Sequence, residues 1–129
     1  MSAATTATGR AALVLFAHGS RDSEWAAPFA AIQDKVRRQR PELTVELAYL
    51  DLMHPSLPEA IQKLVSSGRR RIAIAPLFMG QGAHLRQDLA RLVAEARARH
   101  ADIKIKLLPA IGEVEAVMEA MSVWIAANA

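Results

Sequence analysis

The sequence predicts an α/β fold in which helices cover both faces of a four-stranded parallel sheet. Segments with the pattern of a strand alternate with segments of helical period, and this β-α unit occurs four times along the chain. Two strand segments are continuously apolar, whereas the other two alternate apolar and polar residues. Because continuously apolar strands are buried on both faces, we place the first and third in the centre. The predicted order is 2-1-3-4, as in a flavodoxin-like three-layer sandwich.

The first half of the chain begins with an apolar strand at 11–17. A helix follows at 24–39, with apolar residues at helical spacing and charged residues between them. Pro41 ends this helix, and the segment 43–50 then alternates as an edge strand does. The apolar positions of the helix are Trp25, Phe29, Ile32 and Val36.

The second half continues the alternation. Ser56 and Glu59 form an S-x-x-E capping box that opens a helix, and Gly68 ends it. The second apolar strand covers 72–77. The remaining predicted elements are a helix at 84–99, an edge strand at 103–108 and a last helix with Val114, Val117, Met118, Met121, Trp124 and Ile125 on one side.

Length and composition predict one domain, at residues 10–129, preceded by a disordered tail at 1–9. The 129 residues include no cysteine, which excludes disulfides, thiolate zinc sites and cysteine nucleophiles, and fits the reducing cytoplasm. No apolar run approaches the roughly 20 residues that a membrane span needs. The formal net charge is only +3, and the basic residues have no aromatic interleaving. We therefore expect neither a membrane nor a nucleic-acid partner.

His18 and His84 are the leading functional candidates. In a doubly wound sheet, the connections from the two central strands leave in opposite directions, which opens a crevice at their carboxyl ends. His18 follows the first strand and His84 follows the third, so both belong at this crevice. Imidazole binds divalent metals and exchanges protons near neutral pH. Two histidines are too few for a closed zinc site, so they would share a metal with a substrate, unless both are ordinary loop residues.

Charged residues beside the crevice are secondary candidates. Asp51 ends the second strand and could help to deprotonate a ligand or orient a histidine; the alternative is a helix-proximal cap or a solvated acid. Arg21 and Arg86 flank the two histidines and could pair with ligand carboxylates. His54 precedes Pro55 and is interpreted as a loop residue.

Small and apolar residues complete the predicted site. Glycines in its loops would allow close backbone approach to a flat ligand, although each of them could simply make a turn. Apolar side chains beside the crevice would line the ligand or an interface, although core filling is their commoner role. Besides the two arginines, the predicted ligand-binding residues are Gly19, Ser20, Phe78, Met79, Gly80 and Gly82.

Three motifs carry a resemblance to a known family. They are Phe-Ala-His-Gly-Ser-Arg-Asp at 16–22, Tyr-Leu-Asp-Leu-Met-His-Pro-Ser-Leu at 49–57 and Ala-Pro-Leu-Phe-Met-Gly-Gln-Gly-Ala-His-Leu-Arg-Gln-Asp-Leu at 75–89. In this order and spacing, the chain resembles the short sirohydrochlorin cobaltochelatases of the CbiX type. The resemblance implies a class II chelatase fold and insertion of a divalent metal, cobalt before nickel or iron, into sirohydrochlorin without ATP. It also implies cobalamin or sirohaem biosynthesis, and a homodimer where longer relatives carry two modules.

The resemblance also implies roles for individual residues. The two metal-handling histidines of the family map onto His18 and His84, which would bind the metal and accept the two pyrrole protons. Members of the family often carry Glu where this chain has Asp51, which keeps a carboxylate with a shorter reach. The substrate is acidic, which suits a mildly basic protein with arginines near the crevice.

Two other functions remain open from the sequence. A tetrapyrrole or metal carrier would share the crevice without accelerating insertion. A phosphotransfer enzyme with His18 as nucleophile would also place His-Gly after the first strand. Histidine phosphatases need an arginine immediately before that histidine, however, and here the position holds Ala17.

Overall fold

The computed structural model describes residues 11–129, and the predicted tail at 1–9 lies outside them. Four strands form one parallel sheet of order 2-1-3-4, which confirms the predicted architecture. The strands are β1 (Ala11–Ala17), β2 (Thr44–Tyr49), β3 (Arg71–Pro76) and β4 (Lys104–Leu107). The helices are α1 (Ala27–Gln39), α2 (Leu57–Ser66), α3 (Ala83–Arg99) and α4 (Glu115–Asn128), with short 3₁₀ helices at Ser23–Ala26 and Ile111–Glu113.

The segment before α1 differs from the predicted continuous helix. Its first turn is a 3₁₀ helix, capped by the Asp22 side chain, which accepts a hydrogen bond from the Glu24 N–H. The α-helix begins only at Ala27, with Pro28 in its first turn. Proline has no N–H to donate and a fixed φ, so it fits the start of a helix and not its interior.

One face of the sheet is closed by α2 and α3. The predicted capping box opens α2: Ser56 Oγ accepts from the Glu59 N–H at 3.3 Å, and Glu59 Oε1 accepts from the Ser56 N–H at 2.7 Å. Aliphatic residues on α2 and α3 then pack on the sheet and form the main core. The larger side chains of this core belong to Val14, Phe16, Leu57, Ile61, Leu64, Ile72, Ile74, Phe78, Leu89, Val93, Ile103 and Ile105.

The opposite face is covered only in part. Helix α1 lies over β2 and β1, where Gln33 and Arg37 both donate to the Val45 carbonyl at 2.8 Å. Over β3, Ala73 and Ala75 are only half-buried. The prediction that β3 is buried on both faces is therefore wrong, because the last helix does not pack over it: α4 has no buried residue.

None of the helices within residues 11–129 has the length and apolar character needed to cross a lipid bilayer.

Candidate functional site

Hydrogen bonds beyond the strand ends tie the loops of the predicted crevice together. The Leu50 N–H donates to the Ala17 carbonyl at 2.9 Å, and the Asp51 N–H donates to the His18 carbonyl at 3.0 Å. On the other side of β1, the Leu77 N–H donates to the Phe16 carbonyl at 2.8 Å. The loops after β1, β2 and β3 thus leave the sheet from fixed positions at its carboxyl edge.

His18 stands at this edge on an apolar support. Its ring is exposed and meets the edge of Phe78 at a centroid distance of 4.8 Å and an angle of 65°. Phe78 is itself buried and packs on Phe16 at 5.7 Å. The His18 side chain has no hydrogen bond or ion pair within residues 11–129. Both imidazole nitrogens therefore stay available to a ligand while the ring is held from one side.

Gly19 is required by the local backbone. Its φ is +95°, which side-chain-bearing residues rarely adopt, and a Cβ at this position would lie 1.8 Å from the Asp51 carbonyl oxygen. The close contact joins the loop after β1 to the loop after β2. The glycine therefore fixes the position from which His18 projects.

Ser20 and Asp22 shape the following turn. Ser20 Oγ accepts a hydrogen bond from the Asp22 N–H at 3.1 Å, and Asp22 Oδ1 accepts from the Glu24 N–H at 2.9 Å. Ser20 thus has a local structural role, besides the ligand contact predicted from the sequence. Arg21 between them is exposed, and no partner for its guanidinium lies in the part of the chain described here.

Asp51 is exposed at the end of β2, and its carboxylate is engaged locally. Oδ1 accepts from the Leu52 N–H at 2.8 Å, in a turn where Leu52 has a φ of 68°. Among residues 11–129, the Asp51 carboxylate contacts no histidine ring. The roles predicted for Asp51, deprotonating a ligand or orienting a histidine, stay predictions.

His84 lies in the first turn of α3, directly after the loop that follows β3. The side chain is exposed and has no hydrogen bond, ion pair or ring contact within the described chain. In particular, no hydrogen bond or ring contact joins it to His18 within residues 11–129. Gly80 and Gly82 in the preceding loop have open space where a Cβ would stand. Here, unlike at Gly19, sterics do not demand a glycine.

A second group of contacts lies on the β4 side of the same edge. Gln81 Nε2 donates to Glu113 Oε1 at 3.1 Å, and Arg86 lies 3.7 Å from the other oxygen of Glu113. These residues line a groove of about 520 Å³ together with Leu107 and Leu108. Arg86 is therefore paired with an acid, and a ligand carboxylate would have to compete for it.

Gly112 brings the loop after β4 against the loop after β3. Its N–H donates to the Phe78 carbonyl at 3.0 Å, and a Cβ would lie 1.6 Å from the Met79 carbonyl oxygen. Sequence reasoning missed both Gly112 and Glu113 as site residues. The available signal was topological: in a parallel sheet, the loop after the fourth strand ends at the same edge as the loops that carry the histidines.

His54 behaves differently from the two candidate histidines. Its Nδ1 lies 2.8 Å from Glu59 Oε1, and the ring is otherwise exposed. The hydrogen bond from the Ser56 N–H, followed by the one with His54, lowers the pKa of Glu59 to about 2. This imidazole is thus attached to the start of α2, in agreement with its interpretation as a loop residue.

Comparison with known proteins identifies what the chain is similar to. The CbiX family model matches residues 12–126. The sirohydrochlorin cobaltochelatase of Methanocaldococcus jannaschii is 30% identical over 89 residues, which are 69% of this chain and 62% of that protein. The corresponding protein of Sulfurisphaera tokodaii is 30% identical over 107 residues, 83% of this chain and 84% of the other. The chain spans less than two thirds of the length of several archaeal relatives, the Methanocaldococcus jannaschii protein among them.

Two solved structures have the same fold. A CbiX protein of Marinobacter aquaeolei, described as a putative cobalamin biosynthesis protein, superposes with a TM-score of 0.77 at 26% identity, over 91% of this chain and 95% of that one. The sirohydrochlorin chelatase SirB of Bacillus subtilis, in complex with cobalt, gives a TM-score of 0.73 at 27% identity. The match with SirB covers 88% of this chain and 49% of that one.

Proposed function

The chain belongs to the CbiX family, and from this membership we propose that it inserts a divalent metal ion into sirohydrochlorin without ATP. Cobalt is the first choice for the metal substrate, because the relatives are sirohydrochlorin cobaltochelatases and the SirB structure holds cobalt. Nickel and iron are the alternatives. The proposal places the protein in the cytoplasm, in the biosynthesis of cobalamin or sirohaem.

The observation that carries this proposal is the state of His18 and His84. Each follows one of the two adjacent central strands, each side chain is exposed, and neither has a polar partner within residues 11–129. A neutral imidazole without a hydrogen-bond partner can accept a proton or bind a divalent metal. These are the two tasks that metal insertion into a macrocycle requires.

The two histidines would bind a metal ion weakly enough to pass it on to the macrocycle. Within residues 11–129, no three His, Asp or Glu side chains come together in a group able to hold a metal ion. A site with one or two protein ligands binds metal weakly, whereas a structural zinc site has four. The four macrocycle nitrogens would complete the coordination as the metal leaves the protein. His18 and His84 would take the two pyrrole protons that the metal replaces.

The other predicted residues would bind the macrocycle. Arg21 is exposed and unpaired within the described chain, so it is available to a substrate carboxylate. Arg86 would exchange its partner Glu113 for another carboxylate. The buried Phe78 ring packs against the His18 ring. Met79, Gly80 and Gly82 belong to the loop after β3, which the ligand would approach. Asp51 would act beside His18 as a secondary proton acceptor.

We include a homodimer in the proposal. The match with SirB accounts for 88% of this chain but only 49% of SirB, so this chain corresponds to one half of the longer protein. A second copy would supply the other wall of a cleft that accommodates a flat macrocycle.

The test is metal insertion measured with the purified protein. Sirohydrochlorin is mixed with Co²⁺, Ni²⁺ or Fe²⁺ in turn, without ATP, and the absorbance change of the macrocycle is followed against a reaction without protein. We expect cobalt insertion clearly above the uncatalysed rate. A carrier would bind the macrocycle and leave the rate unchanged. Hydrolysis of a generic phosphate ester that disappears in His18→Ala would instead indicate the phosphotransfer enzyme.

A further inference from the structure

Helix α4 has the composition of a buried helix and the environment of an exposed one. Ten of the residues at 116–127 are Ala, Val, Met, Trp or Ile around its whole circumference, apart from Glu119 and Ser122. A helix that is apolar all round is normally enclosed by protein. In this structure no residue of α4 is buried; Trp124 is 68% exposed and Ile125 is 57% exposed. An apolar patch of this size marks an interaction surface.

The sheet has a matching uncovered region in the same chain. On the face opposite the main core, α1 covers β2 and part of β1, whereas no helix within residues 11–129 lies over β3 and β4. A groove of about 410 Å³ runs along this region, with Leu13, Leu43 and Ala73 in its lining. In a three-layer sandwich, this position is normally filled by a helix.

The two surfaces are also complementary in charge. The groove is rimmed by Arg71, Lys104 and Lys106, which are exposed and have no ion-pair partner within residues 11–129. The only charged side chains of α4 are Glu115 and Glu119, one turn apart. The two glutamates at the beginning of α4 would therefore lie near the basic side chains at the border of the groove, and the apolar side chains of α4 would pack on the apolar residues that line it.

The path of the chain keeps these surfaces apart within one copy. Gly112 is held against the loop after β3 by its hydrogen bond to the Phe78 carbonyl. From this anchored point, the main packing partner of α4 is the 3₁₀ helix Ile111–Glu113 just before it, not a strand. The helix therefore leaves its own sheet uncovered and extends away from it.

We infer that α4 of one copy packs on the uncovered β3–β4 face of a second copy, and that the second copy returns its own α4 in exchange. Such reciprocal exchange of an identical element is a low-cost route to a closed two-fold dimer. It covers the exposed apolar surface of both helices and completes both sandwiches. The inference specifies how the homodimer proposed above is assembled, and it rests on that homodimer but not on the metal chemistry.

The chain offers a built-in reporter, because Trp25 and Trp124 are its only tryptophans. In Trp25→Phe, the emission of Trp124 is followed over a dilution series while light scattering gives the mass of the same samples. We expect short-wavelength emission in the dimer and a shift to longer wavelength as the protein dissociates. In Trp124→Phe, the emission of Trp25 should not change with dilution. Should Trp25→Phe fail to fold, hydrogen exchange of the α4 amides in the unchanged chain, at high and low concentration, gives the same information.

A charge placed on α4 tests the contact directly. Trp124→Lys should weaken dimerisation by about 30-fold or more, the effect of losing a central tryptophan anchor, without unfolding the monomer. Ile32→Lys is the matched control, since Ile32 is an exposed apolar residue on α1, and it should change the dissociation constant by less than about threefold.

Each remaining outcome overturns the exchange. A dimer in which the Trp124 emission stays at long wavelength would refute the exchange and retain the homodimer. A monomer with short-wavelength emission at every concentration would show that α4 folds back on its own sheet. A monomer with long-wavelength emission would refute the homodimer as well. The insertion assay described above reports separately on the chemistry in all of these cases.

Discussion

The two candidate histidines occupy the same edge of the sheet but differ in how firmly they are held. His18 rests on the buried Phe78 ring, and its loop is fixed by Gly19 and by a hydrogen bond to the backbone of Asp51. His84 sits in the first turn of α3, after a glycine-containing loop, and its side chain touches no polar or aromatic partner within residues 11–129. This difference suggests that the two histidines contribute differently to metal insertion. A fixed imidazole suits proton transfer, which depends on geometry, and a free one suits metal capture.

Replacement of His18 should have the largest effect. We expect His18→Ala to lower the turnover of cobalt insertion by about a thousandfold or more, because a positioned proton acceptor contributes roughly 10²–10⁴. The assay is the absorbance change of sirohydrochlorin, with circular dichroism to verify the fold. His100→Ala is the control, since His100 lies at the far end of α3. Turnover unchanged in His18→Ala would remove this residue from the proposed mechanism.

Replacement of His84 should reduce the rate of metal insertion less than replacement of His18, and it should act mainly on the apparent KM for the metal. If His84 captures the metal, His84→Ala should lower the rate by about a hundredfold at limiting Co²⁺, since even the groups that support a metal ligand are worth roughly 10–100-fold in metal affinity or activity. Part of this loss should be recovered at high Co²⁺, because the apparent KM for the metal rises, whereas the share of kcat that depends on proton acceptance by His84 is not recovered. The comparison between the two residues would be wrong if His84→Ala lost kcat alone, or if excess Co²⁺ rescued His18→Ala instead.

The loops that carry the two histidines can also be compared by the stability of glycine variants, with Gly19 in the first loop and Gly80 in the second. Gly19→Ala must place a Cβ against the Asp51 carbonyl at a φ of +95°. We expect it to cost at least about 2 kcal/mol in free energy of unfolding, because the strain of a left-handed residue adds to the displacement of the Asp51 carbonyl. Gly80→Ala is its partner variant, because the space there is open and φ is not positive. Urea denaturation should show Gly80→Ala close to the unchanged chain; equal losses in both variants would contradict the distinction between a fixed and a free loop.

Periodicity along the chain was sufficient to locate the two histidines. The continuous apolar runs identified β1 and β3 as central strands, and the topology of a parallel sheet then placed whatever follows them at one edge. The same reasoning could not distinguish the fixed His18 from the free His84. That difference arises from Phe78 and the Asp51 carbonyl, which contact the first loop from the loops after β3 and β2. Contacts between segments that are far apart in sequence produce no periodic pattern of apolar residues, so they cannot be predicted from such a pattern.

The last helix shows a second boundary of sequence reasoning. The apolar residues Val117, Met121 and Trp124 correctly predicted a helix with a surface to bury. Helical spacing shows which side chains of this helix form an apolar surface, but it does not specify what covers that surface; in the structure no residue of α4 is buried. Gly112 and Glu113 escaped notice for a related reason: their partners Phe78, Met79 and Gln81 belong to another loop.

His54 is a third imidazole for the comparison, and it is already bound to Glu59. Of the replacements at these three histidines, we expect that of His54 to change the rate of cobalt insertion least. Glu59, its partner, has a folded-state pKa of about 2, below the ordinary 4.5, because the Ser56 N–H and then His54 favour the carboxylate. A depressed pKa stabilises the folded chain above about pH 4.5, and this contribution is lost as the pH falls towards 2. We therefore expect the difference in Tm between the unchanged chain and Glu59→Gln to shrink as the pH falls from about 4.5 towards 2. His54→Ala should leave cobalt insertion unchanged, and a rate as low as that of His84→Ala would place His54 in the site after all.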